Sequence, residues 1–119
     1  MSYSMYAVSS INEEKVADIR QQLDQLPIAE ATSFLKAIAD HNRSQIVNAL
    51  CLEEALCVCD IAALLDISMA NASSHLRKLY KEDVVSSRKV GKQVYYSLQD
   101  HHVRTIMEMS LAHIAKKDE

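Results

Sequence analysis

Glycine and proline are nearly missing from this sequence, with one of each in 119 residues. A single glycine, Gly91, cannot build the glycine-rich loop with which nucleotide-binding folds cradle phosphates. No nucleophile stands beside an evident base and the length leaves no room for a second, cleft-forming domain, so an enzyme is not expected. No segment approaches the ~20 apolar residues of a membrane span, and the first ten residues have neither a basic leader nor a continuous apolar stretch. A soluble, cytoplasmic protein without a membrane partner is expected. Cysteine is scarce and odd in number: Cys51, Cys57 and Cys59. Without an export signal this argues for reduced thiols rather than a disulfide framework, which leaves metal or redox chemistry open.

What is present favours helix. Ala, Leu, Ile, Glu, Lys and Gln are abundant, and all but β-branched Ile lose little rotamer freedom in a helix. The net charge of −3 argues mildly against nucleic acid, but the distribution of charge matters more than its sum. Arg77, Lys78, Lys81, Arg88, Lys89 and Lys92 place six of the thirteen basic residues between positions 77 and 92, against Glu82 and Asp83 alone. That is a local basic surface of the kind DNA affinity depends on.

Residues 1–11 show no sustained period and read as a mobile arm, followed by a single domain over 12–119. Val16, Ile19, Leu23 and Leu26 step by three and four along a first helix that opens near Asn12 and Glu14 and ends at Pro27. A second helix carries Ala31, Phe34, Leu35 and Ile38. A third carries Ile46, Ala49 and Leu50 after a break over residues 40–43. All three read as core scaffold. From residue 57 to 98 the pattern changes. Asp60 is placed to cap a short helix through Ile61, Ala62, Leu64 and Leu65; residues 66–68 make a turn, and Ser68 caps a second helix over 69–81. Ala72, Leu76 and Leu79 of that helix share an inner face. Asn71, Ser73, Ser74, His75, Arg77 and Lys78 are left on or near the outer one, where small polar groups and bases suit groove edges and phosphates. Val84 and Val85 then begin a strand, and Val94, Tyr96 and Leu98 alternate with polar or aromatic neighbours across Gly91, giving a β-hairpin tipped by Arg88, Lys89 and Lys92. Two short helices and a charged hairpin make a winged helix-turn-helix: mainly α with a β-hairpin wing. The last segment, 100–116, has Val103, Ile106, Met107, Ser110 and Ile114 on one side. With residues 12–26 it offers an apolar surface for a twofold partner, so a homodimer is expected.

The stretches LKAIADHNRSQIVNAL (35–50), ALCVCDIAALLDIS (55–68), ASSHLRKLY (72–80) and the wing VGKQVYYSL resemble the ArsR/SmtB family of metal-responsive repressors over roughly residues 30–115, most closely its cadmium-responsive CadC/CadX type. The resemblance implies two metal sites. Cys57 and Cys59 match a thiolate-rich site, and Asp100, His102 and His113 match three ligands of a site on the terminal helices. Thiolates prefer cadmium, lead or zinc to magnesium or calcium. Residues i and i+2 share a face only in an extended segment, so the two thiols converge best just ahead of the helix that follows. Family members with a full thiolate site take further cysteines from the N-terminal arm, which has none here, and an arsenite site of the C-x-C-x-x-C kind would want a thiol at Ala62. The plain alternative for Cys57 and Cys59, and the reading for Cys51, is packing. His102 and His113 are eleven residues apart, about 16 Å along a helix, so one chain cannot bring them to a shared ion. Asp100 and His102 of one chain with His113 of a partner can, and such donors suit zinc, cobalt or nickel, zinc foremost. The family's fourth, acidic ligand is replaced by Lys116; water, Asp118 or Glu119 are substitutes. The plain alternative is a set of solvent-facing polar side chains. His41 and His101 read as surface residues, and His75 as a DNA-facing or helix-packing one.

The function this implies is a repressor whose dimer holds an inverted repeat of operator DNA and leaves it when cadmium, lead or zinc binds, controlling metal efflux or resistance genes. Two rivals are a repressor of the same fold switched by oxidation of Cys57 and Cys59, and a metal-buffering or interaction protein without DNA binding, for which the basic hairpin has no explanation.

Overall fold

The computed structural model describes residues 10–116, in two compact units, one running to Thr32 and the other beginning at Ser33. Most of the expected arm, along with Asp118 and Glu119, lies outside the described residues.

Helix α1 spans Glu13–Asp24. Asn12 caps it from an extended conformation, its side chain accepting from the Lys15 amide at 2.9 Å, and Glu13 and Glu14 complement the positive end of the helix. The expectation that this helix is core scaffold is corrected: none of its residues is buried, and Val16, Ile19, Leu23 and Leu26 are 37%, 47%, 47% and 56% exposed. The stripe has helical spacing, but spacing reports a face and not what covers it. Pro27 opens the next helix as much as it closes this one. Its carbonyl accepts from the Ala31 amide at 3.0 Å, at a position where a missing N–H costs nothing. Helix α2, Ile28–Ile38, buries only Ala37 and Ile38, with Phe34 half-buried against the core. Ala31 and Leu35, read as core, are exposed.

Helix α3, His41–Leu52, begins directly after Asp40, so the break is shorter than expected. The Asp40 side chain accepts from the Arg43 amide at 3.0 Å. Ile46, Val47 and Leu50 are fully buried; Val47 widens the stripe that Ile46 and Leu50 define. A two-residue strand, β1 (Leu56–Cys57), leads into α4 (Val58–Leu65), then α5 (Met69–Lys81), β2 (Val85–Val90), β3 (Gln93–Leu98) and α6 (His101–Lys116). The sheet has the order β1-β3-β2 and is antiparallel throughout. Strand β1 was not anticipated, because two residues are too few to show alternation.

The second unit is organised around Ile46, Val47, Leu50, Ile61, Leu76, Leu79, Val84, Val85 and Val103, all fully buried. Burying a side chain of this size stabilises by about 1.5–3 kcal/mol. Both helices of the α4–α5 pair end in the same way. Asp66 (φ 54°) and Asp83 (φ 57°) adopt the left-handed conformation. The amides of Asp66 and Ile67 return to the carbonyls of Ala63 and Ala62 at 3.3 and 3.1 Å, and those of Asp83 and Val84 to Tyr80 and Leu79 at 3.1 and 2.9 Å. These paired bonds satisfy orphan carbonyls and turn the chain sharply, and Asp tolerates the conformation because its short polar side chain bonds locally. Among the described residues no helix is long and apolar enough to cross a membrane.

Candidate nucleic-acid interface and metal-binding residues

Helix α5 is fixed from both ends and from beneath. Ser68 caps it, accepting from the Asn71 amide at 3.0 Å, and Ala72, Leu76 and Leu79 are fully buried. The opposite face is thereby committed to solvent: Asn71, Ser74, Arg77 and Lys78 are exposed and Ser73 is half-buried. Polar side chains at this spacing on a rigid helix suit base edges in a major groove, and the bases beside them suit phosphates.

The wing closes through a two-residue loop, with Val90 paired to Gln93 and Gly91 at φ 63°. That is the backbone of a hairpin turn that requires glycine at its first position. Arg88, Lys89 and Lys92 are all exposed, but the pleat separates the two strand residues. Lys89 lies on the face of Ser87, Val94 and Tyr96, and a cleft lined by Arg77, Tyr80, Lys81, Ser87 and Tyr96 shows that this face meets α5. Arg88 shares the other face, in a cleft with Glu53, Glu54, Tyr95 and Ser97. Of the residues lining the cleft against α5, Lys81 belongs to the basic cluster and Tyr96 to the strand pattern read from the sequence, whereas nothing in the sequence marks Tyr80 or Ser87.

His75 is half-buried and its Nδ1 lies 3.3 Å from Arg43 Nη1 on α3. The ring therefore sits between two helices and not in the row of fully exposed side chains. Arg43 is held in turn: its Nε donates to the Ala37 carbonyl, and Nη1 lies 4.0 Å from Asp40 Oδ2. The bond from the Arg43 amide is the main reason the Asp40 carboxyl titrates below its ordinary value, with the Arg43 and His75 charges adding to it against some desolvation. Sequence reading missed Arg43 because its partners are six and thirty-two residues away. Arg104, also missed, donates from α6 to the Cys51 carbonyl at 2.7 Å, a last-turn carbonyl of α3 that a cation suits.

At the start of α6, Asp100 Oδ1 accepts from the His102 amide at 2.9 Å and lies 3.4 Å from His102 Nδ1. Both side chains are open to solvent, 49% and 75% exposed. The His101 and His102 rings lie 4.1 Å apart. His113 is on the same unbroken helix and exposed, about 16 Å further along it at 1.5 Å per residue. Among the described residues no group of three or more His, Cys, Asp or Glu in one chain is placed to hold an ion.

The cysteine pair is arranged differently from the expectation. Helix α4 begins at Val58, not at Asp60; Cys57 is the capping position and Asp60 the third helical residue, its Oδ2 accepting from the Cys57 amide at 3.4 Å. Cys57 therefore ends the extended segment, paired in register with Tyr95 and 7% exposed, while Cys59 lies in the first helical turn and is exposed. The shared-face geometry of an extended segment does not reach Cys59. Cys51 is half-buried, and burial pushes its thiol above the ordinary range, opposed by the Arg104 charge.

The family described as "Bacterial regulatory protein, arsR family" matches residues 40–87, from the Asp40 cap into the wing. The chain is 39% identical over 113 residues to the "Cadmium resistance transcriptional regulatory protein CadC homolog" of Staphylococcus aureus, covering 95% of this chain and 93% of that protein. It is 35% identical over 109 residues to the "Transcriptional repressor SmtB homolog" of Synechocystis, covering 91% and 82%. A homodimeric winged helix-turn-helix DNA-binding domain from Mycobacterium bovis superposes with a TM-score of 0.72 over 76% of this chain and 82% of that one, at 23% identity, and so shares the fold alone. A helix-turn-helix with a hairpin wing, near-complete relatives at these identities and the family match together make this chain a member of the arsR family of bacterial regulatory proteins.

Proposed function

We propose that this chain is a metal-responsive transcriptional repressor that binds operator DNA as a homodimer and releases it when cadmium, lead or zinc binds, controlling metal efflux or resistance genes. The observation that carries the reading is α5. Its buried Ala72, Leu76 and Leu79 fix a helix whose exposed Asn71, Ser74, Arg77 and Lys78 stand beside a basic wing. In a twofold pair, two such helices enter successive major grooves about 34–36 Å apart on an inverted repeat. The uncovered apolar stripe of α1 and the exposed Met109, Leu111 and Ile114 of α6 supply surfaces for the second copy.

The donors at the start of α6 fit a borderline divalent ion. A carboxylate and an imidazole lie side by side and open to solvent, an oxygen and nitrogen set that suits zinc, with His113 of the second copy as the third ligand. Cys57, buried at the end of β1, and the exposed Cys59 are the soft donors for cadmium or lead. The names of the cadmium-resistance and SmtB-type relatives support a metal effector. The coupling between ion and DNA amounts to about 1–3 kcal/mol, or roughly 5–150-fold in operator affinity. Fluorescence anisotropy with a labelled duplex that the chain selects from a randomised pool, without metal and with cadmium, lead or zinc, tests this directly. Equal affinity in all four conditions would remove the sensing role, and failure to select any duplex would remove the DNA role.

A further inference from the structure

The polar link between α3 and α5 carries an inference that rests on the DNA-binding reading above. We propose that Arg43 is a positioning residue that fixes the tautomer of His75, so that the ring presents its Nε2–H as a hydrogen-bond donor to a base acceptor in the groove.

A guanidinium has donors only. Arg43 Nη1 stands 3.3 Å from His75 Nδ1, so that nitrogen serves as the acceptor and the proton of the neutral ring resides on Nε2. Arg43 has little freedom to turn away. Its side chain is 13% exposed, its Nε is tied to the Ala37 carbonyl, and the Asp40 carboxylate lies at 4.0 Å. Among the described residues no hydrogen bond engages Nε2, and no buried side-chain nitrogen or oxygen is left without a partner. Nε2 is therefore not sealed from solvent. His75 follows Ser74 on α5, with Asn71 four residues before it and Lys78 three after, all three exposed, so the free edge of the ring lies beside the polar face. Guanine O6 and N7, adenine N7 and thymine O4 are the acceptors the major groove offers to such a donor.

Side-chain geometry supplies the test. Asn at position 75 keeps an acceptor near the Nδ1 position and loses the outer donor. Gln keeps a donor near the Nε2 position and loses the acceptor. Affinity is read on a duplex that the wild-type chain selects from a randomised pool, with a scrambled duplex of the same composition as the non-specific reference. His75→Asn is expected to lose about tenfold on the selected duplex, little on the scrambled one, and to keep the wild-type salt slope, because a base contact releases no counterion. His75→Gln retains most of the affinity. In ¹⁵N spectra at mildly alkaline pH, wild-type His75 shows a bare Nδ1 and a protonated Nε2, and Arg43→Met shows a mixture of tautomers with reduced affinity for the selected duplex. If Arg43→Met does not fold, the wild-type spectrum and the two His75 variants still decide the matter. A wild-type ring protonated at Nδ1, or a His75→Asn variant with unchanged affinity, overturns the proposal. A wild-type chain that selects no duplex overturns the DNA-binding reading instead.

Discussion

Removing one wing lysine should weaken DNA binding in a way that removing its neighbouring arginine does not. Lys89 and Arg88 are adjacent, both exposed and both cationic, yet the pleat points Lys89 to the face shared by Arg77 and Lys81 and points Arg88 towards Glu53 and Glu54. If Lys89 neutralises one phosphate per subunit, a dimer loses two contacts in Lys89→Ala, and the slope of log affinity against log salt falls by about 1.8 at ~0.9 per phosphate. Between about 0.05 and 0.2 M salt that slope difference changes the ratio of wild-type to variant affinity by roughly tenfold, with the larger gap at low salt. Arg88→Ala, on the acidic side, should shift the slope by much less. Anisotropy titrations of one labelled duplex at several salt concentrations measure both. Equal slope changes, or a larger one for Arg88→Ala, would refute the assignment of the two faces.

Four further outcomes follow from packing, capping and the metal donors. Leu76→Ala, at a fully buried site, should cost about 3 kcal/mol and lower the melting temperature by roughly 10 °C at fixed protein concentration, read by thermal denaturation. Ile19→Glu places a charge in the uncovered stripe of α1 and should yield a monomer in sedimentation with unchanged helix content; a persistent dimer would move the interface elsewhere. Asp40→Asn keeps the cap but removes a carboxyl whose folded value lies below its ordinary 3.8. The stabilisation from the Asp40 charge is present above the ordinary value and fades as pH falls through the lower folded one, so the urea midpoints of wild type and variant should converge in that acid window. Asp100→Asn combined with His102→Gln should leave operator affinity intact while abolishing its response to zinc, and a retained zinc response would place the ion elsewhere.

The recognition helix was legible in the sequence almost residue by residue, because Ser68, Ala72, Leu76 and Leu79 combine a local cap with a clean helical period. The hairpin was legible for similar reasons, with its single glycine marking the turn. Helix α1 was placed correctly as an element and misjudged as core, since an apolar stripe looks the same whether its own chain or another covers it. The start of α4 was misjudged because Asp60 is a good residue both as a cap and as the third helical residue, and only the pairing of Cys57 with Tyr95 decides between them. The Arg43 and Arg104 links could not be read at all. Their partners are a histidine ring and a backbone carbonyl far along the chain, and nothing in local sequence marks a carbonyl as wanting a cation.

The short strand β1 ties the first helix of the reading head to the wing through Leu56 opposite Tyr96 and Cys57 opposite Tyr95. The segment that leads directly into α4 and the hairpin therefore share one backbone ladder. A stimulus arriving through α6 has little leverage to splay this head open. On the dimeric reading proposed above, its effect on DNA would come from turning one intact head relative to its twin, so that the two modules no longer fit the same stretch of duplex together.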